Sequence, residues 1–178
     1  EMKKHFTAVL KGNLNLVSAK FRKGCLGINF DYLAREALWE MGLDYNHGTG
    51  HGVGYYLNVH EAPNGFRWKQ VPERNESAAF EAGMITSDEP GLYLEGKYGI
   101  RLENLVLCME KSQTNFGTFL GFETLTLTPF DRDAMDPTQM TPQEKALLNA
   151  YHARVHAAIA PHLPPEEAAW LAQATRPI

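Results

Sequence analysis

The chain has 178 residues, of which 44% are hydrophobic and 21% charged, an ordinary balance for a globular domain with its own core. A formal net charge of −4 argues against nucleic acid as a partner, and the apolar runs are too short to span a membrane. Cys25 and Cys108 lack the spacing of a zinc ribbon or a redox pair, so we expect free thiols in a cytoplasmic protein, with a single disulfide as the less favoured alternative.

Two amphipathic helices are predicted at the start of the chain. Residues 2–22 carry apolar side chains at helical spacing, which indicates the first helix. Asn29 is the expected N-cap of a second helix over 30–41, and Gly42 is its expected end. Because the chain opens with Glu1 rather than Met, we expect it to be cut from a longer protein.

Strands are predicted in the middle of the chain, where glycine, β-branched and aromatic residues dominate. The patterns place them near 53–59, 84–88, 98–109 and 121–128. In the third of these strands, Arg101, Glu103 and Leu105 are expected to share one face. The order of helices, strands and further helices favours an α+β fold with an antiparallel or mixed sheet.

The last part of the chain is predicted to be helical. A connector rich in proline and aspartate covers 129–140. Thr141 then caps a helix over about 142–160, with proline at the first helical position and Glu144 completing a capping box. A last short helix is expected over 165–174.

The segment HGTGHGVG, residues 47–54, carries two histidines four positions apart. Such a pair suits a metal ion on one face of a helix, but glycine costs about 1 kcal/mol at an interior helical position. The three glycines between residues 48 and 52 therefore argue against a helix. A loop that cradles phosphate is a further interpretation, although no GK[ST] follows and no helix begins there.

Three more residues are candidates for chemistry: His60 after the strand predicted over 53–59, Glu89 in TSDEPG, and Glu103 in GIRLEN. Plainer interpretations are a structural histidine, a simple turn and an exposed charge. Glu103 has apolar neighbours that look buried, which is an unusual place for a carboxylate without a partner. Imidazole and carboxylate beside glycine suit a divalent metal, and two bridged metals about 3.5–4 Å apart perform hydrolysis.

The blocks HGTGHGVGYYLNVHEAP, ITSDEPGLY and GIRLENLVLC resemble, in order and spacing, the aminopeptidase P (Xaa-Pro aminopeptidase) group of pita-bread metallopeptidases. The tail FLGFETLTLTPFDRDAMD, with QEKALLNAYHARV, resembles the long multi-domain members. The resemblance implies an incomplete α+β pita-bread (creatinase/aminopeptidase-like) catalytic domain over 1–130 and a C-terminal helical extension over 131–178. It also implies hydrolysis of the bond between an N-terminal residue and a proline in second position, with two divalent metals, usually Mn²⁺.

The resemblance also implies a role for each candidate residue. The metal ligands of the family match His51, Glu89 and Glu103. Glu103 matches the ligand that bridges both ions, and His60 matches a catalytic histidine that moves protons or steadies the tetrahedral intermediate. His47 matches a histidine that lines the substrate pocket near the scissile bond and contributes to catalysis. Arg101 matches an arginine that contacts the carboxylate ligands without binding the metal itself.

The match to the family is incomplete at one point. Two further ligands of the family are aspartates in a DGTTD-like segment upstream of the histidine, and this chain has no such segment. The acidic residues before His51 stand in other contexts; they are Glu1, Asp31, Glu36, Glu40 and Asp44. We therefore expect this chain alone to bind at most one metal ion, weakly, to have little or no activity, and to expose a sheet edge that favours a homodimer.

Two alternative functions stay open at this point. A prolidase-type enzyme would act on Xaa-Pro dipeptides, although the C-terminal extension favours aminopeptidase P. A non-catalytic pita-bread module would bind peptides or proteins, although it has no need of His51, Glu89 and Glu103. The same set disfavours a metal-free amidinohydrolase. The expected partners are peptides with proline at the second position, with neither nucleic acid nor membrane among them.

Overall fold

The computed structural model describes residues 1–56 and 58–178. Its helices are α1 (Met2–Val17), α2 (Asp31–Trp39), α3 (Pro142–Ile159) and α4 (Pro165–Ala174). Its strands are β1 (Lys20–Arg22), β2 (Gly50–His51), β3 (Gly65–Phe66), β4 (Ile85–Asp88), β5 (Gly91–Leu94), β6 (Tyr98–Arg101), β7 (Asn104–Thr114) and β8 (Gly117–Thr124). Short 3-10 helices cover Gly27–Asn29, Pro72–Arg74, Pro137–Gln139 and Ala160–His162.

The main sheet has four strands in the order β1-β8-β7-β4, and every neighbouring pair is antiparallel. Two small antiparallel ladders, β2-β3 and β5-β6, stand beside it. A single bridge between Gly52 and Thr86 joins the segment after β2 to β4. The architecture confirms the predicted α+β class, and the sheet is antiparallel in all the pairs that the structure describes.

Five phenylalanines form the centre of the core between the helices and the main sheet. Each is buried, and their ring centroids lie 4.6–6.1 Å apart in the contacting pairs; they are Phe21, Phe30, Phe66, Phe80 and Phe122. Edge-to-face packing of this kind adds to the free energy gained by burying the rings. A separate apolar cluster joins α1 to α3 through Leu10, Leu14 and Leu148, so the C-terminal helices are packed onto the rest of the chain.

The helical predictions for the first forty residues need correction at their ends. The first helix ends at Val17 rather than at residue 22, because residues 20–22 pair with β8 as β1 and bring Phe21 into the aromatic core. Asn29 is not the N-cap of α2. Its side-chain oxygen instead accepts a hydrogen bond from the Leu26 amide, within the 3-10 helix that precedes α2. Gly42 follows α2 with φ +70°, in accord with the predicted stop.

The strand predictions were partly wrong. Among the described residues of 53–59 there is no strand, and Leu57 lies outside the description. The strand predicted over 98–109 is two strands, β6 and β7, because the chain turns at residues 102–103 and pairs β6 with β5 rather than with the main sheet. The last predicted strand, 121–128, is shifted toward the N-terminus as β8.

The C-terminal predictions were confirmed. Thr141 Oγ accepts a hydrogen bond from the Glu144 amide at 3.2 Å, and the Thr141 amide donates to Glu144 Oε2 at 2.7 Å. The last helix covers the expected residues. Over the part of the chain that the structure describes, no helix is long and apolar enough to cross a membrane. The boundary predicted between residues 130 and 131 stays a prediction.

Candidate functional site

The histidine ligand predicted from the sequence, His51, lies on β2 against the end of β4. Its backbone amide donates to Ser87 Oγ at 3.0 Å. The preceding Gly50 passes so close to the Ser87 carbonyl that a Cβ at this position would collide with that oxygen and with the ring of Phe66. Glycine at position 50 therefore lets the histidine strand come against β4, as a close backbone approach requires.

His51 and Glu89 face each other through two atoms that both accept hydrogen bonds. His51 Nδ1–H donates to the Gly52 carbonyl at 2.9 Å, so in the neutral imidazole Nε2 is an acceptor. That Nε2 lies 3.3 Å from Glu89 Oε1, and Ser87 Oγ–H donates to the same carboxylate oxygen at 2.9 Å. Both side chains are about nine-tenths buried. Two lone pairs held this close in a buried place favour a shared proton or a cation.

Glu103 lies in the two-residue break between β6 and β7 and is exposed, in contrast to the buried strand position that the sequence suggested. Partial burial raises the pKa of its carboxyl, and the negative charge of Glu89 raises it further. The positive charge of Arg101 opposes that increase. Glu103 thus faces the same group of charges as the His51–Glu89 pair.

His47 is held between Tyr93 and Arg101. His47 Nδ1–H donates to the Gly48 carbonyl at 2.8 Å, and Nε2 accepts from the Tyr93 hydroxyl at 3.0 Å. Arg101 Nη2 is 3.4 Å from the same Nε2, while Arg101 Nη1 is 3.4 Å from Glu89 Oε2. Burial lowers the pKa of His47, and the nearby charge of Arg101 adds to this. His47 is therefore neutral near pH 7, with Nε2 as an acceptor.

His60 reaches the site from a loop and not from a strand end. Its ring centroid is 4.0 Å from that of His51, with the planes at 42°. The side chain itself is exposed. The His60 ring therefore contacts both His51 and solvent.

A buried network behind the site fixes the backbone that carries both histidines. Arg35 on α2 is fully buried; it donates to Asp31 Oδ2 at 2.7 Å and to the His47 carbonyl at 2.8 Å. Thr49 Oγ–H donates to Asp31 Oδ1 at 2.6 Å, and the Tyr45 hydroxyl lies 2.5 Å from Thr49 Oγ. The helix therefore holds residues 45–49 through charge-assisted hydrogen bonds rather than through strand pairing.

Asp88 is a second buried acid, next to Glu89 in the chain. It is fully buried, and neither of its carboxyl oxygens has a hydrogen-bond partner among the residues described. Burial raises the pKa of this carboxyl well above its usual range, and the charge of Glu89 acts in the same direction. The buried surroundings of Asp88 thus disfavour the charged form of this carboxyl.

One open cavity of about 350 Å³ collects most of the residues predicted from the sequence. They are His47, His51, His60, Glu89 and Arg101. Glu103 is not among the residues that line this cavity in the described part of the chain. Sequence analysis missed Tyr93 and Ser87, which orient His47 and Glu89; both lie inside the quoted block ITSDEPGLY, so their position in it was the available signal.

The donor set fits a divalent metal but does not enclose one. An imidazole Nε2 and carboxylate oxygens are suitable ligands for Mn²⁺ or Zn²⁺, and the His51 Nδ1–H bond to a carbonyl orients the ring for coordination. Within residues 1–56 and 58–178, no three histidine, cysteine or acidic side chains are gathered closely enough to hold an ion. The pair of His51 and Glu89 is thus a part of a site, and the ligand roles stay predictions.

Comparison with protein families identifies two regions. The profile of metallopeptidase family M24 matches residues 1–110, and the profile of the C-terminal region of peptidase M24 matches residues 118–178. The first match covers more than half of the chain.

Similar proteins include named Xaa-Pro aminopeptidases. The Xaa-Pro aminopeptidase of Caenorhabditis elegans is 44% identical over 183 residues, covering 98% of this chain and 29% of the relative. A probable Xaa-Pro aminopeptidase P of Colletotrichum graminicola is 45% identical over 179 residues, covering 97% of this chain and 28% of the relative. The chain thus spans less than a third of the length of these relatives.

Solved structures show the same relationship. The X-prolyl aminopeptidase of C. elegans, described as a cytosolic enzyme with a di-nuclear active site, superposes with a TM-score of 0.89 at 42% identity over 99% of this chain and 29% of that one. An Xaa-Pro dipeptidase of Bacillus anthracis superposes with a TM-score of 0.53 at 30% identity over 72% of this chain and 32% of that one. The fold is therefore a partial pita-bread domain with C-terminal helices, and the chain belongs to metallopeptidase family M24.

Proposed function

We propose that this chain contributes part of the active site of a dinuclear-metal aminopeptidase that hydrolyses the N-terminal Xaa-Pro bond of peptides. The observation that carries the proposal is the buried pair of acceptors, His51 Nε2 and Glu89 Oε1, 3.3 Å apart. Such a pair is costly unless a proton or a cation lies between the two atoms, and a divalent cation suits both of them as ligands. The aminopeptidase relatives support the substrate class, and the aminopeptidase structure matches over more of the chain than the dipeptidase structures do.

In this proposal His51, Glu89 and Glu103 would hold the metal ions, and Glu103 would be the ligand shared by both. Two aspartates from an upstream segment would complete the site. When bound, the metal ions would polarise the scissile carbonyl and lower the pKa of a water molecule. Ser87 and Arg101 hold the Glu89 carboxylate from two sides, so its orientation does not depend on the metal.

The remaining site residues act on the substrate. We assign His47 to the wall of the substrate pocket near the scissile bond. Its Nε2 accepts a hydrogen bond from the Tyr93 hydroxyl, which fixes the ring. His60 is assigned to proton transfer or to stabilising the tetrahedral intermediate, since its ring contacts the ring of His51 and is open to solvent. Arg101 is assigned to support of Glu89, with which it makes an ion pair at 3.4 Å.

The isolated chain is proposed to be weakly active or inactive. Two divalent ions carry four positive charges, and Glu89 and Glu103 supply two negative ones, so tight binding of two ions needs the upstream carboxylates. The chain alone would bind at most one ion, weakly. The two predicted units, 1–130 and 131–178, would be the end of the catalytic domain and its helical extension.

Metal identity, location and assembly belong to the same proposal. Mn²⁺ suits a site of one imidazole and several carboxylates. A cytoplasmic location is supported by the cytosolic C. elegans enzyme and by Cys25 and Cys108, which are both free thiols. A homodimer is proposed because β1 ends the main sheet and pairs with β8 alone among the described residues, and an open strand edge can pair with a second copy. Sedimentation equilibrium of this chain tests the dimer.

The experiment uses an extended chain, in which this sequence follows the upstream catalytic segment with its two aspartates. With Mn²⁺, we expect release of the first residue from Xaa-Pro-Yaa, and a loss of at least about 100-fold in His51→Gln. The exposed His162→Gln is the matched control. Cleavage of Xaa-Pro dipeptides alone would favour the prolidase alternative, and binding of peptides without cleavage would favour the non-catalytic module.

A further inference from the structure

The charges around the cavity are unevenly distributed. Four cationic side chains line it, and Glu89 is the one carboxylate that lines it within the described ranges; the cations are Arg67, Lys69, Arg74 and Arg101. Arg101 is paired with Glu89 on the side that carries the histidines. The other three lie on the segment from residue 67 to residue 74, which we call the 67–74 wall.

The 67–74 wall is fixed against the histidine segment at its first residue. Arg67 makes an ion pair with Glu76, and both side chains are largely buried. A Cβ at Gly48 would collide with the Arg67 guanidinium, so glycine at 48 allows this arginine to lie directly against the HGTGHGVG segment. The position of the wall relative to His47 is therefore set by packing.

The next cations of the wall are not neutralised in the same way. Within the described parts of the chain, neither Lys69 nor Arg74 has a carboxylate within 4.0 Å. Lys69 Nζ lies 4.9 Å from the ring centroid of Trp68, whose side chain is 49% exposed although it lines the cavity. An exposed indole beside two unpaired cations offers an apolar surface and positive charge to the same ligand.

This arrangement gives the cavity a polarity along a bound peptide. Glu89 and the nearby Glu103, the proposed metal ligands, lie on the side that carries the histidines. The positive charge of the 67–74 wall attracts negative charge. A peptide whose scissile bond lies at the proposed metal ligands would therefore place its later residues along the wall.

We propose that Trp68, Lys69 and Arg74 form a downstream subsite that favours peptides with a carboxylate after the second residue. This inference rests on the proposed aminopeptidase function. The carboxylate has two chemical sources, an acidic side chain at the third position and the free C-terminus of a short peptide. Both place one negative charge near the wall, and matched peptides separate them.

The test measures kcat/KM of the extended chain on two peptide pairs. Ala-Pro-Glu-Ala-NH₂ against Ala-Pro-Gln-Ala-NH₂ isolates the side chain, and Ala-Pro-Ala against Ala-Pro-Ala-NH₂ isolates the C-terminus. We expect the charged member of at least one pair to be preferred about fivefold at low salt, and the preference to fall as ionic strength rises. The pair that shows the preference identifies the source of the carboxylate.

Variants then assign the preference to the wall. In Lys69→Gln with Arg74→Gln the charged-to-neutral ratio should fall to about 1, whereas Lys69→Arg with Arg74→Lys should retain it. The exposed Lys23→Gln, which does not line the cavity, should leave both the activity and the ratio unchanged. Hydrolysis without any charge preference in wild type, or a preference that survives the Gln variants, would overturn the subsite alone. No hydrolysis of any of the four peptides would contradict the proposed function, and the subsite with it.

Discussion

The Arg35 network and the His51–Glu89 pair are two buried polar groups with opposite states of hydrogen bonding. Arg35 donates through Nε to Asp31, through Nη1 to Asp44 and the Tyr45 carbonyl, and through Nη2 to the His47 carbonyl. In the other group, His51 Nε2 and Glu89 Oε1 lie 3.3 Å apart and are both acceptors when the imidazole is neutral. The first group is complete within the chain, and the second is not.

The difference separates a structural role from a functional one. A buried charge that finds all its partners nearby stabilises one conformation of the backbone it contacts, here residues 44–49. Two acceptors pressed together are unfavourable in the protein alone and become favourable when a proton or cation binds. The folded chain thus uses one polar cluster to position the other.

The largest expected change in stability follows from breaking the Arg35 network. Arg35→Met should lower the free energy of unfolding by about 3–5 kcal/mol, because it leaves the fully buried Asp31 carboxylate without its cation. Urea denaturation of both proteins measures this loss. Arg154→Met is the matched control, since its ion pair with Glu123 at 2.8 Å is exposed, and it should cost less than about 1 kcal/mol. Equal losses in the two variants would show that the network does not stabilise the fold.

His152 is an intermediate case, because one of its ring nitrogens is satisfied and the other is not. Nε2 accepts from the Phe130 amide at 3.1 Å, and the buried Nδ1 has no partner among the residues described. Burial lowers the pKa of His152 to about 4, and the charge of Arg132 adds to this. As the pH falls, the unfolded chain therefore binds a proton at this histidine before the folded chain does. The free energy of unfolding decreases by about 3 kcal/mol as the pH falls from about 6.5 to about 4.

The variant His152→Gln isolates that pH dependence. Between pH 7 and pH 4 the free energy of unfolding should fall less in this variant than in wild type. The difference between the two decreases should be about 3 kcal/mol. His162→Gln, at an exposed histidine, should follow the wild-type curve. Thermal denaturation at several pH values gives the comparison, and parallel curves for wild type and His152→Gln would refute the assignment.

The smallest expected effect on stability follows from a substitution in the His51–Glu89 pair. Glu89→Gln should change the free energy of unfolding by less than about 1 kcal/mol in metal-free buffer, because the amide oxygen can still accept from Ser87 and one acceptor-acceptor contact is relieved. The same variant should lose the calorimetric heat of Mn²⁺ binding in the extended chain. A loss of several kcal/mol without metal would mean that Glu89 has a structural role like that of Asp31.

Local signals explain which parts of the fold were predictable. The capping box of Thr141 and Glu144 lies within four residues, and the stop at Gly42 depends on one backbone conformation. In contrast, β1 is a strand because residues 20–22 pair with β8, about a hundred positions away. The turn at residues 102–103 depends in the same way on the pairing of β6 with β5. No short window of sequence contains such partners.

The candidate site was predictable to the extent that its motifs are continuous. His47, His51, Glu89 and Arg101 each stand in a block of sequence that resembles one family, and the structure brings them to one cavity. The hydrogen bond from Arg35 to the His47 carbonyl was not predictable, because it joins a side chain to a backbone atom in another segment of the chain. The positions of Lys69 and Arg74 beside one another in the cavity emerged only from the structure, which shows the side chains that line it.

The central claim is that this chain holds one part of a dinuclear site that upstream carboxylates complete. Calorimetric titration of Mn²⁺ into this chain and into the extended chain tests it most directly. We predict two tight sites in the extended chain and one weak site or none in the shorter one. Two tight sites in this chain alone would contradict the claim, as would the absence of binding in both.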